Sequence, residues 1–119
     1  MKFISIFTHE GQPKPPTPEL ITQMGKLIEE GMKAGWLLAT EGIQWGEKPT
    51  RVRSDGGKIT VTDGPFAEAK EVLGGYALMQ AKSKEEIIEL TRRFLKVAGD
   101  GICEIHQLFE EPADGMPRR

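Results

Sequence analysis

Asp63-Gly64-Pro65-Phe66-Ala67-Glu68-Ala69-Lys70-Glu71-Val72-Leu73-Gly74-Gly75-Tyr76 packs a turn signal, four charged residues, a glycine pair and an aromatic ring into one short run. Core packing alone does not ask for that mixture. A charged, glycine-rich turn that runs into an apolar strand is the form taken by a site held on a scaffold. Asp-Gly-Pro supplies the turn. Leu73 to Ala81 supplies the strand, and Phe66 interrupts the polar run as an anchor for the loop.

Immediately upstream, Arg51-Val52-Arg53-Ser54 and Lys58-Ile59-Thr60-Val61-Thr62 alternate polar and apolar residues around Asp55-Gly56-Gly57, which predicts a hairpin. Further out, Lys2 to Thr8 reads as a strand apolar on both faces, with Phe3, Ser5 and Phe7 on one side and Ile4, Ile6 and Thr8 on the other. After an extended Pro-rich loop, Thr17-Pro18-Glu19 starts a helix with a hydroxyl N-cap, Pro at N1 and an acid in the first turn. Leu20, Met24, Leu27 and Ile28 form its apolar stripe, and Gly35 stops it. Trp36 to Thr40 is a short strand. Downstream, Ser83-Lys84-Glu85-Glu86 is a capping box that opens a helix with Ile87, Ile88, Leu90, Phe94 and Leu95 inward. Gly99-Asp100-Gly101 breaks that helix, and Ile102 to Phe109 is a last strand.

The resulting order, β-α-β-hairpin-β-α-β, predicts an α+β chain: a ferredoxin-like split βαβ with an inserted β-hairpin. Residues 1–110 form one domain, followed by a loose tail over 111–119. Two helices cover only one face of a four-stranded sheet. Because the strands are apolar on both sides, a second copy is the expected cover for the other face, giving a homodimer joined through its sheets.

The 119 residues are the size of one domain with one core. The net charge of −2 gives no support for direct nucleic-acid binding. The single cysteine, Cys103, rules out an intrachain disulfide and fits a reducing, cytoplasmic setting. No window reaches the ~18 apolar residues of a membrane span, so no membrane partner is expected. Cys103 and His106, three apart on a strand, face opposite ways, and no zinc-ligand spacing appears. No Gly-rich run leads into a Lys-Ser or Lys-Thr phosphate loop. Neither a metal nor a cofactor is expected.

With this order in place, Val61-Thr62-Asp63-Gly64-Pro65-Phe66-Ala67-Glu68, Lys70-Glu71 and Gly74-Gly75-Tyr76 resemble the signature of the YCII-related proteins of the DGPF type. Met1-Lys2-Phe3, Glu41-Gly42 and Glu104-Ile105-His106, standing where that family has Glu-Val-Arg, extend the likeness over about residues 1 to 109. The resemblance implies a dimeric α+β barrel in a bacterial protein. It also implies either an enzyme of small molecules or a partner of sigma-factor-type transcription regulation. For the wider group an enzymatic His–Asp pair has been suggested, partly through similarity to a muconolactone dehalogenase. The histidine of that pair belongs in the first helix, near Met24 here. This helix holds no histidine, so the His-dependent mechanism does not carry over.

The candidate residues each carry two readings. Asp63 is either a general base or substrate clamp at a strand end, or a turn-forming carboxylate. Glu68, Lys70 and Glu71 are either a solvated, ion-paired loop or acids turned into a cleft with Lys70 tuning them. Gly74 and Gly75 admit either a ligand or a neighbouring backbone. Glu104 and His106 share a strand face, either as a hydrogen-bonded pair at a dimer seam or as a site. Cys103 is expected as an inert core thiol. A cofactor-free enzyme would use Asp63, Glu71 and His106 for acid/base chemistry, with Glu41, Glu68, Lys70, Gly74 and Gly75 holding substrate. A non-catalytic ligand-binding or regulatory module is the other reading of the same surface.

Overall fold

The computed structural model describes residues 1–10, 15–43, 48–65 and 72–110. Its elements are β1 (Lys2–His9), α1 (Pro18–Ala34), β2 (Leu37–Gly42), β3 (Thr50–Asp55), β4 (Lys58–Asp63), β5 (Val72–Gln80), α2 (Lys84–Ala98) and β6 (Gly101–Gln107). β1, β2, β5 and β6 form one antiparallel sheet in the order β2-β5-β1-β6, while β3 and β4 pair only with each other. The chain is therefore α+β, with a strand order compatible with a ferredoxin-like fold and the hairpin inserted between β2 and β5. The expected tail over residues 111–119 lies outside the described residues.

The helix ends follow from their caps. The Thr17 hydroxyl accepts the Leu20 N–H at 3.1 Å with Pro18 just inside the helix, and Gly35 ends α1 in the left-handed region at φ 85°. The Ser83 hydroxyl accepts the Glu86 N–H at 3.2 Å and starts α2. The hairpin tip is tighter than the sequence suggests. Asp55 pairs with Lys58, leaving Gly56 (φ 60°) and Gly57 (φ 87°) as a two-residue loop of the kind that only glycine-like residues enter easily. β2 reaches Gly42 rather than stopping at Thr40, because Glu41 and Gly42 continue the ladder with Tyr76 and Gly75 of β5.

Both helices cover the face of β1 that carries Phe3, Ser5 and Phe7. Phe3, Leu37, Met79 and Ile87 form the packed core there, and Ile87 is 0% exposed. Gly31 lets α1 sit directly on β2: a Cβ at that position would lie 2.9 Å from the Leu37 Cβ and 2.8 Å from the Trp36 ring. Arg93 of α2 reaches Glu30 of α1 at 2.6 Å and ties the helices together. The opposite face carries Ile4, Ile6, Tyr76, Leu78, Ile102, Glu104 and His106, and no helix lies on it.

Candidate functional site

The core packs tightly where Phe3, Met79 and Ile87 meet and opens toward the His9 end of β1. The sheet floor explains why. Gly42 and Ala77 present little or no side chain on the helix-covered floor, and Leu20, Met24 and Leu27 of α1 line the same space from the helix side. The result is a cleft of 440 Å³ between sheet and helices, walled on the other side by Leu90, Thr91 and Phe94 of α2. That volume falls in the range of small-molecule sites. The stripe read from the sequence is half-buried because it faces this cleft.

Most polar atoms of the lining are already satisfied. The Thr40 hydroxyl donates to the Tyr76 carbonyl at 2.8 Å, and the Thr91 hydroxyl donates to the Ile87 carbonyl at 2.8 Å. Ser5 hydrogen-bonds Cys103, whose thiol is pushed up by burial against the smaller lowering effect of that bond. Cys103 is thus held in its thiol form on the cleft floor, the setting of an unreactive cysteine.

His9 is different. Its ring stacks edge-on against Phe7 at 5.0 Å, and Phe7 stacks edge-on against Phe94 at 5.3 Å. Glycine makes room for this row: a Cβ on Gly74 would fall 2.6 Å from the Phe7 ring and 2.9 Å from His9 Nε2, and one on Gly101 would fall 2.3 Å from Phe7. Among the described residues, the His9 ring nitrogens have no hydrogen-bond partner. β1 runs one residue beyond the Lys2 to Thr8 span expected from the sequence and so includes His9. The available signal was the alternation Phe3-Ser5-Phe7, which continued by one step puts an imidazole on the apolar, helix-covered side.

The residues singled out from the sequence fall in separate places. Gly74 and Gly75 border the cleft, with protein atoms filling the space their side chains would take. A Cβ on Gly75 would meet the Glu41 carbonyl oxygen at 2.6 Å. The backbone of Glu41 borders the cleft, but its register opposite Tyr76 puts its exposed carboxylate on the open face. Glu104 and His106 are also on that open face, opposite Ile6 and Ile4, and their side chains meet directly at 2.6 Å. Asp63 ends the hairpin, exposed, and accepts the Thr50 hydroxyl at 2.8 Å, while the Gly64 N–H donates to the Pro49 carbonyl at 2.7 Å. Asp63 and His106 therefore sit on different sheets, each hydrogen-bonded to a neighbour on its own sheet. Glu68, Lys70 and Glu71 lie outside the described residues, and Val72 is the register partner of His9. No cluster of metal-ligating side chains occurs among the described residues, and no helix among them is long and apolar enough to cross a membrane.

No curated protein matches the chain. The family model of the YCII-related domain matches residues 1–111, nearly the whole chain and both sides of the cleft. The chain belongs to the YCII-related family.

Proposed function

We propose that the protein binds a small, largely apolar molecule in the cleft between its sheet and helices. The observation that carries this reading is the 440 Å³ space itself, lined by Leu20, Met24, Leu27, Leu90 and Phe94 over a floor of small residues. Space of that size in so short a chain removes packing contacts that a filled core would have made. A bound apolar molecule restores them. Cofactor-free acid/base chemistry and ligand-sensing regulation both begin with this binding step. A carboxylate-driven enzyme draws no support from Glu41 and Glu104, whose side chains lie on the open face, or from Asp63, which is exposed, bonded to Thr50 and not part of the cleft lining.

A second copy of the chain is the proposed cover for the open face, closing the two sheets into a barrel. The support is the row Ile4, Ile6, Leu78 and Ile102 on a face without a helix. The Glu104–His106 pair then belongs to the seam rather than to the cleft.

The test uses a neutral fluorescent probe, N-phenyl-1-naphthylamine. Its emission should rise and saturate with wild-type protein. Met24→Trp fills the cleft from the half-exposed side of α1 and should weaken the probe by about ten-fold, the equivalent of ~1.4 kcal/mol. Probe binding that Met24→Trp leaves unchanged overturns the assignment.

A further inference from the structure

We infer that His9 is the polar anchor of the cleft, and that the molecule bound there is a flat, apolar body carrying one acidic oxygen group, of carboxylate type, at the His9 end. This rests on the cleft being a binding site, as proposed above, and goes on to name the class of molecule it takes.

The lining is apolar except at a few points, and those points differ in what they can still do. Thr40 and Thr91 spend their hydroxyl protons on backbone carbonyls, and Ser5 and Cys103 are engaged with each other. His9 alone among these groups offers ring nitrogens with no partner among the described residues. A neutral imidazole always has one N–H to donate, and a protonated one has two, so an acidic oxygen is matched in either state. Such a bond is strong because one partner is charged and the surroundings are poor in water.

The charges nearby favour an anion over a cation. Among the described residues that border the cleft, the ionisable side chains other than His9 are Glu41, Tyr76 and Cys103. Strand register places the first two on the opposite sheet face, and burial keeps Cys103 protonated. An acid group beside His9 would therefore meet no like charge from these residues.

The aromatic row fixes the shape. His9, Phe7 and Phe94 stack edge to face in sequence, at 5.0 and 5.3 Å, so the His9 nitrogens sit at the end of a wall of rings. A planar ligand lies against that wall with its polar end at the imidazole. Gly74 is part of the same device, because any side chain there would strike both rings.

The experiment compares 2-naphthoate with its methyl ester by isothermal titration, in wild-type protein, His9→Gln and Met24→Trp. In wild type the acid should bind about ten-fold more tightly than the ester, the size of one charge-assisted hydrogen bond after desolvation. His9→Gln should collapse that difference, and Met24→Trp should weaken both probes. A second measurement needs no variant at position 9: imidazole NMR signals of the wild-type protein, assigned with His106→Gln. Naphthoate should move the His9 signals and leave those of His106, on the far face, in place. Equal binding of acid and ester, with both weakened by Met24→Trp, overturns the anchor and leaves the cleft reading standing. An acid preference unchanged in His9→Gln, or a shift confined to His106, also overturns the anchor. Absence of binding, or binding untouched by Met24→Trp, sinks the cleft reading and the anchor with it.

Discussion

At the scale of single residues, Cys103 and His9 share one floor and differ by what surrounds their polar atoms. The Cys103 thiol is pushed up by burial, with the Ser5 hydrogen bond pulling weakly the other way. A thiol whose folded value lies above its unfolded value stabilises the fold fully at lower pH. That contribution is lost as pH rises from the ordinary thiol value, about 8.5, toward the raised one. The wild-type melting temperature should therefore fall more steeply above about pH 8.5 than that of Cys103→Ala. Alkylation of the folded protein by iodoacetamide at pH 8 should be slower than for the same chain in denaturant. Equal rates, or parallel pH profiles, would show that burial does not govern this thiol. Cys103 was legible in the sequence as a core thiol, because a cysteine on a strand beneath helices has few other fates. The facing of His9 was legible from the strand alternation, but its role was not, since that depends on the row formed with Phe7 of its own strand and Phe94 of α2. No local pattern encodes that cross-element contact.

Among the elements, the helices were written plainly in the chain and the hairpin base was not. Thr17-Pro18 and Ser83 act through bonds three residues away, so cap and helix are read together. Asp63 and Thr50 are thirteen residues apart, and their 2.8 Å bond exists only once β3 and β4 are paired. This bond and the Gly64–Pro49 bond give the Asp-Gly-Pro turn its local work: they close the open end of a hairpin whose tip is already closed by Gly56 and Gly57. Val52, Ile59 and Val61 of that hairpin are 61–67% exposed, so little burial supports it and the closing bonds count for more. Asp63→Ala should expose β3 and β4 to limited proteolysis at a lower protease concentration, at a cost of about 1 kcal/mol. Binding of the naphthyl probes should stay at the wild-type level. A variant whose hairpin is as resistant as wild type but whose probe binding is lost would return Asp63 to the site.

For the molecule as a whole, one sheet face is covered and the other is not. Ile4, Ile6, Leu78 and Ile102 line the uncovered face, and a partner of standard interface size hides about 800 Å² on each side. Sedimentation equilibrium at tens of micromolar should return twice the 13.2 kDa chain mass. Ile6→Asp should return the single mass with its helical circular dichroism intact, because the substitution leaves the helix-covered face unchanged. A wild-type protein that stays at the single mass would remove the barrel reading.

By itself, the sequence determined the α+β class, the helix limits, the hairpin and the family, because caps, glycine turns and strand periodicity act over a few residues. It also placed small residues at Gly42 and Ala77 without showing what lay above them. Only the tertiary structure decided that these positions border the same cleft as Leu20, Met24 and Leu27, which turns a pattern of small side chains into a cavity. It likewise put Asp63 and His106 on different sheets and brought His9 to the cleft, since which residues share a site is set by strand order and facing, and both arise only when distant segments pair. The run from Asp63 to Tyr76 is therefore two things joined: the closure of a hairpin at one end, and at the other the glycines that let Phe7, His9 and the β2 backbone come close.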